Sequence, residues 1–465
     1  MEKYETALGA LGPLDGRYRE QLTDLAPVMS EGGLITTRLR VEAAWLLHLG
    51  DVPAIARTLK LTQPIKEFLD GLSRGTIKPE PYRVKAIEKT TNHDVKAVEY
   101  HLREMLIERG ADSHVLPFVH FACTSEDVNN ISYALMLEEA RSRHMLPLMD
   151  LIVADLKAKA GRYAGLAMLA RTHGQSATPT TMGKEMAVFG HRLARQRDQF
   201  ASIQLEGKIN GAVGNYNAHL VSYPEVDWMQ VTRSFIEHRL AGGIKQNPLT
   251  TQIENHDSIV EYLDALRRFN VILLGLTRDV WGYVSLGYFQ QKLRDSEVGS
   301  STMPHKVNPI DFENAEGNLG LATAMAQHFA EKLPISRWQR DLSDSTVQRN
   351  FGTILGYSVL AYKSTLKGMA KVSVAEDKIT ADLSGAWEVL AEAVQTVMRR
   401  YGVSDAYERL KQSTRGRAVT REVIHELINN CPELPKEAKK ELTGLSPAEY
   451  TGYAARLAAE YSASR

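Results

Sequence analysis

The sequence has 465 residues, 43% of them hydrophobic, and its 56 lysine and arginine residues balance its 56 aspartate and glutamate residues. Because the formal net charge is zero, the chain lacks the general basic field that nucleic acid or an anionic membrane surface would require. The two cysteines, Cys123 and Cys431, are too few for a disulfide framework and are typical of a reducing compartment. At about 150 residues per domain, we expect roughly three domains with a large core.

The beginning of the chain predicts the compartment. Residues 1–5 lack the basic and apolar segments of an export signal. Further along, the apolar run 271–276 is far shorter than the roughly 20 apolar residues that cross a bilayer. We therefore expect a soluble cytoplasmic protein without a membrane-spanning segment.

Three stretches of the chain carry apolar residues at steps of three or four, which predicts long amphipathic helices. The stripes are Met186, Phe189, Leu193, Phe200 and Ile203; then Ile259, Leu263, Leu266, Phe269, Leu273, Leu276, Val280 and Val284; then Leu355, Val359, Tyr362, Leu366 and Met369. The second predicts a helix of about 30 residues, roughly 45 Å long. Steps near 3.5 residues favour lengthwise packing, so a helical bundle is expected. Strand-like alternation is scarce, and 211–217 is at most a small hairpin or turn.

A polar loop follows the longest predicted helix. Its sequence is Gly299-Ser300-Ser301-Thr302-Met303-Pro304-His305-Lys306-Val307-Asn308-Pro309. The two prolines fix φ and remove backbone donors, and the glycine permits unusual backbone angles, so this run cannot form regular structure. On composition alone it could be a plain connector. Two serines, a lysine and an asparagine on a loop held by rigid helices are nevertheless typical of a catalytic segment.

Five other stretches narrow the interpretation. They are 91–100 (TNHDVKAVEY), 124–130 (TSEDVNN), 171–175 (RTHGQ), 208–217 (KINGAVGNYN) and 336–341 (SRWQRD). The loop at 299–309 resembles, without gaps, the GSSxMPxKxN segment of the fumarase/aspartase superfamily. Together with the five stretches, the chain from about residue 15 onwards resembles the bacterial branch of the adenylosuccinate lyase family.

The resemblance implies an all-α fold with a central bundle of long helices. It implies three helical domains, at 1–112, 113–371 and 372–465, and the sequence interrupts its helical patterns at 110–113 and 371–378. It also implies a homotetramer in which each active site collects residues from three chains. The long apolar stripes, which exceed what one subunit can cover, favour such self-association.

For the reaction, the resemblance implies β-elimination of fumarate from two small-molecule substrates of purine nucleotide biosynthesis. Adenylosuccinate would give AMP, and the succinyl-aminoimidazole-carboxamide ribotide would give the aminoimidazole-carboxamide ribotide. This chemistry requires a base for the proton beside a carboxylate and an acid for the departing nitrogen. It requires no cofactor and no metal, and the sequence has no His-Glu-x-x-His or similar metal spacing.

The resemblance assigns the base to Ser300. A free hydroxyl is too weakly acidic for this task, so the site must supply positive potential from Lys306 and from backbone N–H groups. His173 is the expected acid because imidazole is protonated near neutral pH. His93 is a second possibility, as a substrate contact that helps to orient the acid, and its position equally suits a capping role at a helix start.

Substrate binding requires groups for two carboxylates, a phosphate, a ribose and a base, and arginine offers a planar fork for such anions. By position in the family motifs, the implied contacts on the nucleotide side are Arg17, Tyr18, Arg340, Ser345 and Arg349. Those near the succinyl carboxylates are Thr124, Ser125, Ser301, Lys306 and Asn308. The rest of the implied substrate contacts are Asn92, His93, Asp94, Gln252, Val307 and Asn314.

Two alternatives remain at this point. Argininosuccinate lyase, or another sister lyase, would share the loop and fold but bind a succinyl guanidinium without a phosphate, and the stretches 91–94 and 171–175 argue against it. A catalytically silent structural protein of the same fold would have lost its base or its acid. Ser300, His173 and Lys306 are all present.

Overall fold

The computed structural model describes residues 7–240, 242–292, 303, 306–414 and 419–464. Most of them are helical, as the sequence predicts. The α-helices are α1 (Ala26–Met29), α2 (Glu31–Leu49), α3 (Pro53–Leu59), α4 (Gln63–Ser73), α5 (Pro81–Thr91), α6 (Asp94–Glu108), α7 (Ser125–Ala140), α8 (Leu146–Arg162), α9 (Met182–Ser202), α10 (Asn217–Ser222), α11 (Trp228–Ser234), α12 (Asp257–Ser285), α13 (Ile310–Lys332), α14 (Ser343–Gln348), α15 (Phe351–Lys371), α16 (Glu376–Ser384), α17 (Ala391–Arg400), α18 (Ala406–Thr414), α19 (Arg421–Asn429), α20 (Lys436–Gly444) and α21 (Ala454–Ala463).

The strands are short and form three separate pairs. They are β1 (Ala167–Thr172), β2 (Gln175–Thr181), β3 (Glu206–Gly207), β4 (Lys245–Gln246), β5 (Phe289–Gln291) and β6 (Val372–Val374). β1 pairs with β2 and β5 with β6, both antiparallel, whereas β3 and β4 are parallel. None of the helices in the described ranges is long and apolar enough to cross a membrane.

All three predicted amphipathic stripes lie on long helices. The longest, α12, has 29 residues, or about 43 Å. Its apolar stripe is buried from Ile259 to Val280, and Val284 is half-buried at the helix end. On α9 the stripe is buried as far as Phe200, while Ile203 follows the last helical residue. On α15, only Leu366 of the predicted stripe is half-buried.

The chain forms two compact units. Unit 1 takes the described residues within 1–148, 196–271 and 317–363, and unit 2 takes those within 149–195, 272–316 and 364–465. The division into three domains remains a prediction.

The core of unit 1 is built around α2, which is buried along most of its length and packs against α4, α6 and α7. Trp45 is 1% exposed, lies edge-on to Phe235 at 5.0 Å between ring centroids, and donates its indole N–H to Phe121 O at 3.0 Å. The long helices pair in the same unit, because Asn270 of α12 donates to Ser358 Oγ of α15 at 3.0 Å.

Two apolar clusters organise unit 2. The larger joins α17, α19 and α20 through residues that include Met398, Ile428 and Leu442. The smaller packs Leu169 of β1 against Leu383 and Leu390. Since Leu169 lies at the base of the β1–β2 hairpin, this second cluster anchors the hairpin and limits the movement of its tip.

Candidate active site

In unit 1, the first turn of α7 presents the predicted residues Thr124 and Ser125. Thr124 caps the helix reciprocally with Asp127: each side chain accepts the backbone N–H of the other residue, and the Thr124 N–H donates to Asp127 Oδ2 at 2.8 Å. Both Thr124 and Ser125 are half-buried. The N-terminus of a 16-residue helix carries partial positive charge, so this turn is suited to receive a carboxylate.

Below this turn lies a buried ion pair that the sequence analysis did not single out. Lys208 Nζ is 2.9 Å from Asp127 Oδ1, and neither side chain is exposed. Asp127 also accepts the backbone N–H groups of Asn210 at 3.1 Å and Gly211 at 3.2 Å. These bonds fasten the segment 208–217 to α7, and they satisfy the buried carboxylate, which a buried charge requires. The sequence did contain a signal for the role of Asp127, because an acidic residue three positions after a threonine is typical of a capping box.

The segment 208–217 is hydrogen-bonded to the predicted residue Gln252, which in turn contacts the predicted Arg340. Gln252 Nε2 donates to Ala212 O at 2.9 Å, and Gln252 Oε1 accepts from Arg340 Nη1 at 3.1 Å. Arg340 in turn places Nη2 3.3 Å from Glu126 Oε2 on α7. Gln252 and Arg340 line a cavity of about 350 Å³ together with the exposed Trp338. An arginine side chain held from two sides is thus presented at the wall of a cavity.

A second group of charges surrounds Asp94, at the start of α6. Arg38 Nη2 and Arg349 Nη2 both lie 3.0 Å from Asp94 Oδ2. Burial acts to raise the pKa of Asp94, but Arg38, the Val95 N–H and Arg349 outweigh it and lower the pKa to about 2. Asp94 is therefore ionised at neutral pH and holds Arg349 in place.

Arg38 is another residue that the sequence analysis missed, since nothing in its local pattern distinguishes it. Its side chain is 3% exposed, and its Nε donates to Asn129 Oδ1 at 2.8 Å. Because Asn129 lies on α7, this bond ties the Asp94 group to the same helix that presents Thr124 and Ser125.

The remaining predicted residues of unit 1 have local roles. Nδ1 of His93 accepts the Lys96 N–H at 3.2 Å and so caps α6, which leaves Nε2 to carry the proton of the neutral ring. Asn92 ends α5 with a φ of 48°. Arg17 is exposed beside the ring of Tyr18, with the guanidinium carbon 5.9 Å from the ring centroid.

Ser345 lies in the first turn of α14, the short helix between Arg340 and Arg349. Its backbone N–H donates to Asp344 Oδ1 at 2.7 Å, and its side chain is half-buried. The three predicted nucleotide-side residues Arg340, Ser345 and Arg349 therefore follow one another along a single turn-and-helix segment of unit 1.

In unit 2, His173 lies at the tip of the β1–β2 hairpin, an element that the sequence analysis did not predict. Thr172 pairs with Gln175, so His173 and Gly174 form a two-residue loop with φ of 54° and 75°. Positive φ at both positions is typical of a type I′ hairpin turn. The sequence signal for this turn was the dipeptide His173-Gly174, because glycine is common in two-residue hairpin loops. The imidazole is exposed, and the hairpin that carries it is anchored through Leu169.

Only part of the predicted catalytic loop is described. Ser300 and Ser301 lie outside the described residues. The Lys306 N–H donates to Met303 O at 3.0 Å, and Val307 O accepts from Gln291 Nε2 at 3.0 Å, so the end of the loop is bonded to β5. Lys306 is exposed, whereas Asn308 is half-buried. Asn314, one turn into α13, accepts from Ser364 Oγ at 2.7 Å.

One group of side chains in unit 1 has the composition of a metal site. Donor atoms of Glu126, His256 and Asp344 lie within 4.8 Å of one another. The geometry fits a metal poorly, because His256 Nδ1 is 3.2 Å from Leu333 O and Nε2 is 2.7 Å from Gln348 Nε2, so both ring nitrogens already have partners. The Arg340 guanidinium already supplies the positive charge beside Glu126.

Comparison with known proteins gives a consistent result. A family model described as lyase matches residues 57–323, and another, described as adenylosuccinate lyase C-terminal, matches 336–451. The chain is 51% identical over 452 residues to an adenylosuccinate lyase of Vibrio cholerae, covering 97% of this chain and 98% of that protein. It is 50% identical over 455 residues to an adenylosuccinate lyase of Escherichia coli, covering 98% and 99%.

The chain belongs to the adenylosuccinate lyase family. Solved structures of more distant proteins share its fold. A fumarate lyase from Mesorhizobium has a TM-score of 0.74 at 18% identity and covers 95% of this chain and 98% of its own. A 3-carboxy-cis,cis-muconate lactonizing enzyme from Pseudomonas putida has a TM-score of 0.72 at 21% identity, covering 95% and 96%. The predicted all-α fold of the fumarase/aspartase type is thereby confirmed for this family member.

Proposed function

We propose that the chain catalyses β-elimination of fumarate from adenylosuccinate, with release of AMP. The observation that carries this proposal is the 50% identity, over 98% of the chain, to an adenylosuccinate lyase. The same site would serve the succinyl-aminoimidazole-carboxamide ribotide, since the two substrates carry the same ribose phosphate and the same succinyl amine.

The geometry of unit 1 supports the binding half of this proposal. Arg340 and Arg349 are each held by acidic side chains and lie on one segment with Ser345. Two oriented guanidinium groups suit a dianionic phosphate, because arginine binds such groups through a planar fork. The first turn of α7 adds hydroxyls and backbone N–H groups at Thr124 and Ser125, which suit a succinyl carboxylate.

For the chemical step we assign the base to Ser300 and the acid to His173. The hairpin turn presents an exposed imidazole, which can reach a departing nitrogen as a general acid. Lys306 and Asn308, at the far end of the serine-containing loop, would supply positive potential and hydrogen bonds to the developing charge. The proposed binding set is completed by the other implied contacts, which are Arg17, Tyr18, Asn92, His93, Asp94, Gln252, Ser301, Val307 and Asn314.

We further propose a cytoplasmic homotetramer with active sites shared among subunits. Its support is the family resemblance together with apolar side chains exposed on the long helices, among them Val271, Trp281 and Leu321. In such an assembly these side chains would be covered by other copies of the chain.

The test is a fumarate-release assay on purified protein with three substrates: adenylosuccinate, the succinyl-aminoimidazole-carboxamide ribotide and argininosuccinate. We expect release from the first two and none from the third. Release from argininosuccinate alone would favour the sister lyase, and release from none, with the protein folded, would favour a silent relative. A parallel light-scattering measurement gives the mass of the assembly that is active.

A further inference from the structure

We propose that Glu126 is a positioning residue for the substrate-binding Arg340, and that it works in a neutral form by sharing one proton with Asp344. This inference rests on the proposed function of Arg340. It assigns a role to a group of buried side chains, Glu126, Asp344 and His256, to which the reaction scheme above gives none.

The starting point is an excess of buried negative charge. Glu126 is 1% exposed and Asp344 is 3% exposed. Arg340 Nη2 lies 3.3 Å from Glu126 Oε2 and 3.9 Å from Asp344 Oδ1, so one guanidinium faces two carboxyl groups. If both carboxyls were ionised, the group would carry a net negative charge out of water, which is costly. One bound proton brings the net charge to zero.

His256 cannot supply the missing positive charge. Its Nδ1 lies 3.2 Å from Leu333 O, which can only accept, so Nδ1 carries a proton. Its Nε2 is 2.7 Å from Gln348 Nε2, an amide donor, and therefore accepts. The ring is thus neutral, and burial lowers its pKa.

Two oxygen atoms identify where the proton belongs. Glu126 Oε1 and Asp344 Oδ2 are both buried, and neither has a hydrogen-bond partner among the described residues. The other oxygens of the pair are occupied: Glu126 Oε2 faces Arg340, and Asp344 Oδ1 accepts the Ser345 N–H. A carboxyl oxygen of Glu126 and one of Asp344 lie within 4.8 Å of each other, so one proton bound by the pair relieves the repulsion between two carboxyls that cannot both ionise.

The charges around Glu126 are consistent with this state. Burial, aided by Asp344, outweighs the lowering effects of Arg340, Lys208 and the amide of Asn129, and raises the pKa of Glu126 to about 7. Lys208 has its own buried partner in Asp127, at 2.9 Å. Near neutral pH the pair therefore sits close to the point at which the proton leaves.

The consequence for the reaction concerns binding. While the proton is held, Arg340 and the two carboxyl groups are neutral overall, and the guanidinium can still donate hydrogen bonds to a dianionic group. When the proton leaves, the group carries a net charge of −1 and repels the substrate. We expect the KM for adenylosuccinate to rise above pH 7, with kcat at saturating substrate little changed.

The decisive variant is Glu126→Gln, which imitates the neutral carboxyl and keeps the acceptor for Arg340. The measured quantity is the ratio of the wild-type KM to the Glu126→Gln KM, because the titration of the substrate phosphate cancels in it. We expect this ratio to be near one at pH 6 and to rise about tenfold by pH 8.5. A tenfold change corresponds to substrate binding raising the pKa of the shared proton by about one. Glu126→Ala, which removes the acceptor, should raise KM at every pH. Glu139→Gln, on the outer end of α7, is the control and should follow the wild type.

A ratio that stays constant with pH would overturn the inference. So would stabilisation of the wild type, but not of Glu126→Gln, by Mn²⁺ or Zn²⁺, because the group would then be a cation site. A second readout needs no substrate: relative to Glu126→Gln, the free energy of unfolding of the wild type should fall as pH rises from 4.5 to 7, since the folded protein binds the proton more tightly. If no substrate releases fumarate, the proposed function fails and this second readout still tests the shared proton.

Discussion

Lys208 Nζ lies 2.9 Å from Asp127 Oδ1, and neither side chain has any exposure to solvent. The pair joins the first turn of α7 to the segment 208–217, and through Gln252 that segment reaches Arg340. The position of a proposed substrate-binding arginine thus depends on a buried ion pair that does not itself face the cavity.

Breaking this pair should be expensive. We expect Lys208→Met to lower the free energy of unfolding by about 3–5 kcal/mol, because it leaves the Asp127 carboxylate buried and unpaired. Urea denaturation measures the change. Arg74→Met, which breaks the exposed pair with Asp70, is the control and should cost under about 1 kcal/mol. Adding Asp127→Asn to Lys208→Met should recover part of the lost free energy of unfolding. If Lys208→Met loses no more free energy of unfolding than Arg74→Met, the buried pair does not stabilise the fold as argued.

A buried histidine should make stability depend on pH. His120 Nδ1 lies 2.5 Å from Glu42 Oε1, and Nε2 lies 3.8 Å from Glu99 Oε1. Burial lowers the pKa of His120, but Glu42, Glu99 and Asp127 outweigh it and raise the pKa to about 9. The folded state thus binds the proton more tightly than the unfolded state, so this stabilisation is fully present below pH 6.5 and is lost as pH rises through 9.

The corresponding measurement is the free energy of unfolding at pH 6 and pH 9. We expect the wild type to lose up to about 3 kcal/mol over this range relative to His120→Asn. Asparagine is chosen because residue 120 has a φ of 61°, which asparagine tolerates. Equal slopes for the two proteins would mean that the pKa of His120 is the same in the folded and unfolded states, which would contradict the prediction.

The proposed base and acid should fail differently when removed. Ser300→Ala should leave substrate binding intact and lower kcat by roughly 10²–10⁴, the usual contribution of a general base. It should also abolish exchange of the Cβ proton of the substrate with solvent. His173→Ala should lower kcat and change the pH–rate profile, yet it can retain that exchange. Normal turnover in Ser300→Ala would remove the serine from the chemistry and direct attention to His93.

Shared active sites predict complementation. If Ser300 and His173 of one site come from different chains, mixing the two alanine variants and allowing subunits to exchange should restore part of the activity. The exchange itself is followed by mass after labelling one variant. Full exchange with no recovered activity would contradict the shared-site proposal.

The hairpin tip offers a test of backbone geometry. Gly174 has a φ of 75°, and a Cβ added there would meet nothing within 4 Å. Gly174→Val is therefore strained by its backbone alone, at about 1–2 kcal/mol, and should displace His173 and lower kcat at least about tenfold. Gly174→Asn, which tolerates this φ, is the matched control and should remain close to the wild type. Equal kcat values would show that the tip geometry does not matter for turnover.

The repeat of apolar residues was sufficient to predict the long helices. A stripe such as the one from Ile259 to Val280 predicts a helix in any globular protein, because its spacing matches the helical period. Burial of its apolar side chains also stabilises the helix against the rest of the fold. The hairpin at His173 was missed because its strands, AMLART and QSATPTT, show little apolar alternation and its turn signal is a single dipeptide. Its position also depends on Leu169, which packs in a cluster with residues far away in the chain.

Some residues of the candidate site could be predicted from the sequence, and others could be identified only in the folded structure. Motif positions singled out Arg340, Arg349 and Thr124, and a net charge of zero excluded a general electrostatic field. Neither gave a role to Arg38, whose local sequence is that of an ordinary surface arginine, or to Glu126, although Glu126 lies within the stretch 124–130. Only the tertiary structure removes these groups from water and places them beside partners far away in the chain, 91 positions for Arg38 and Asn129. Desolvation depends on what the folded chain packs around a charge, and it is desolvation that makes that charge position its neighbour or retain a proton.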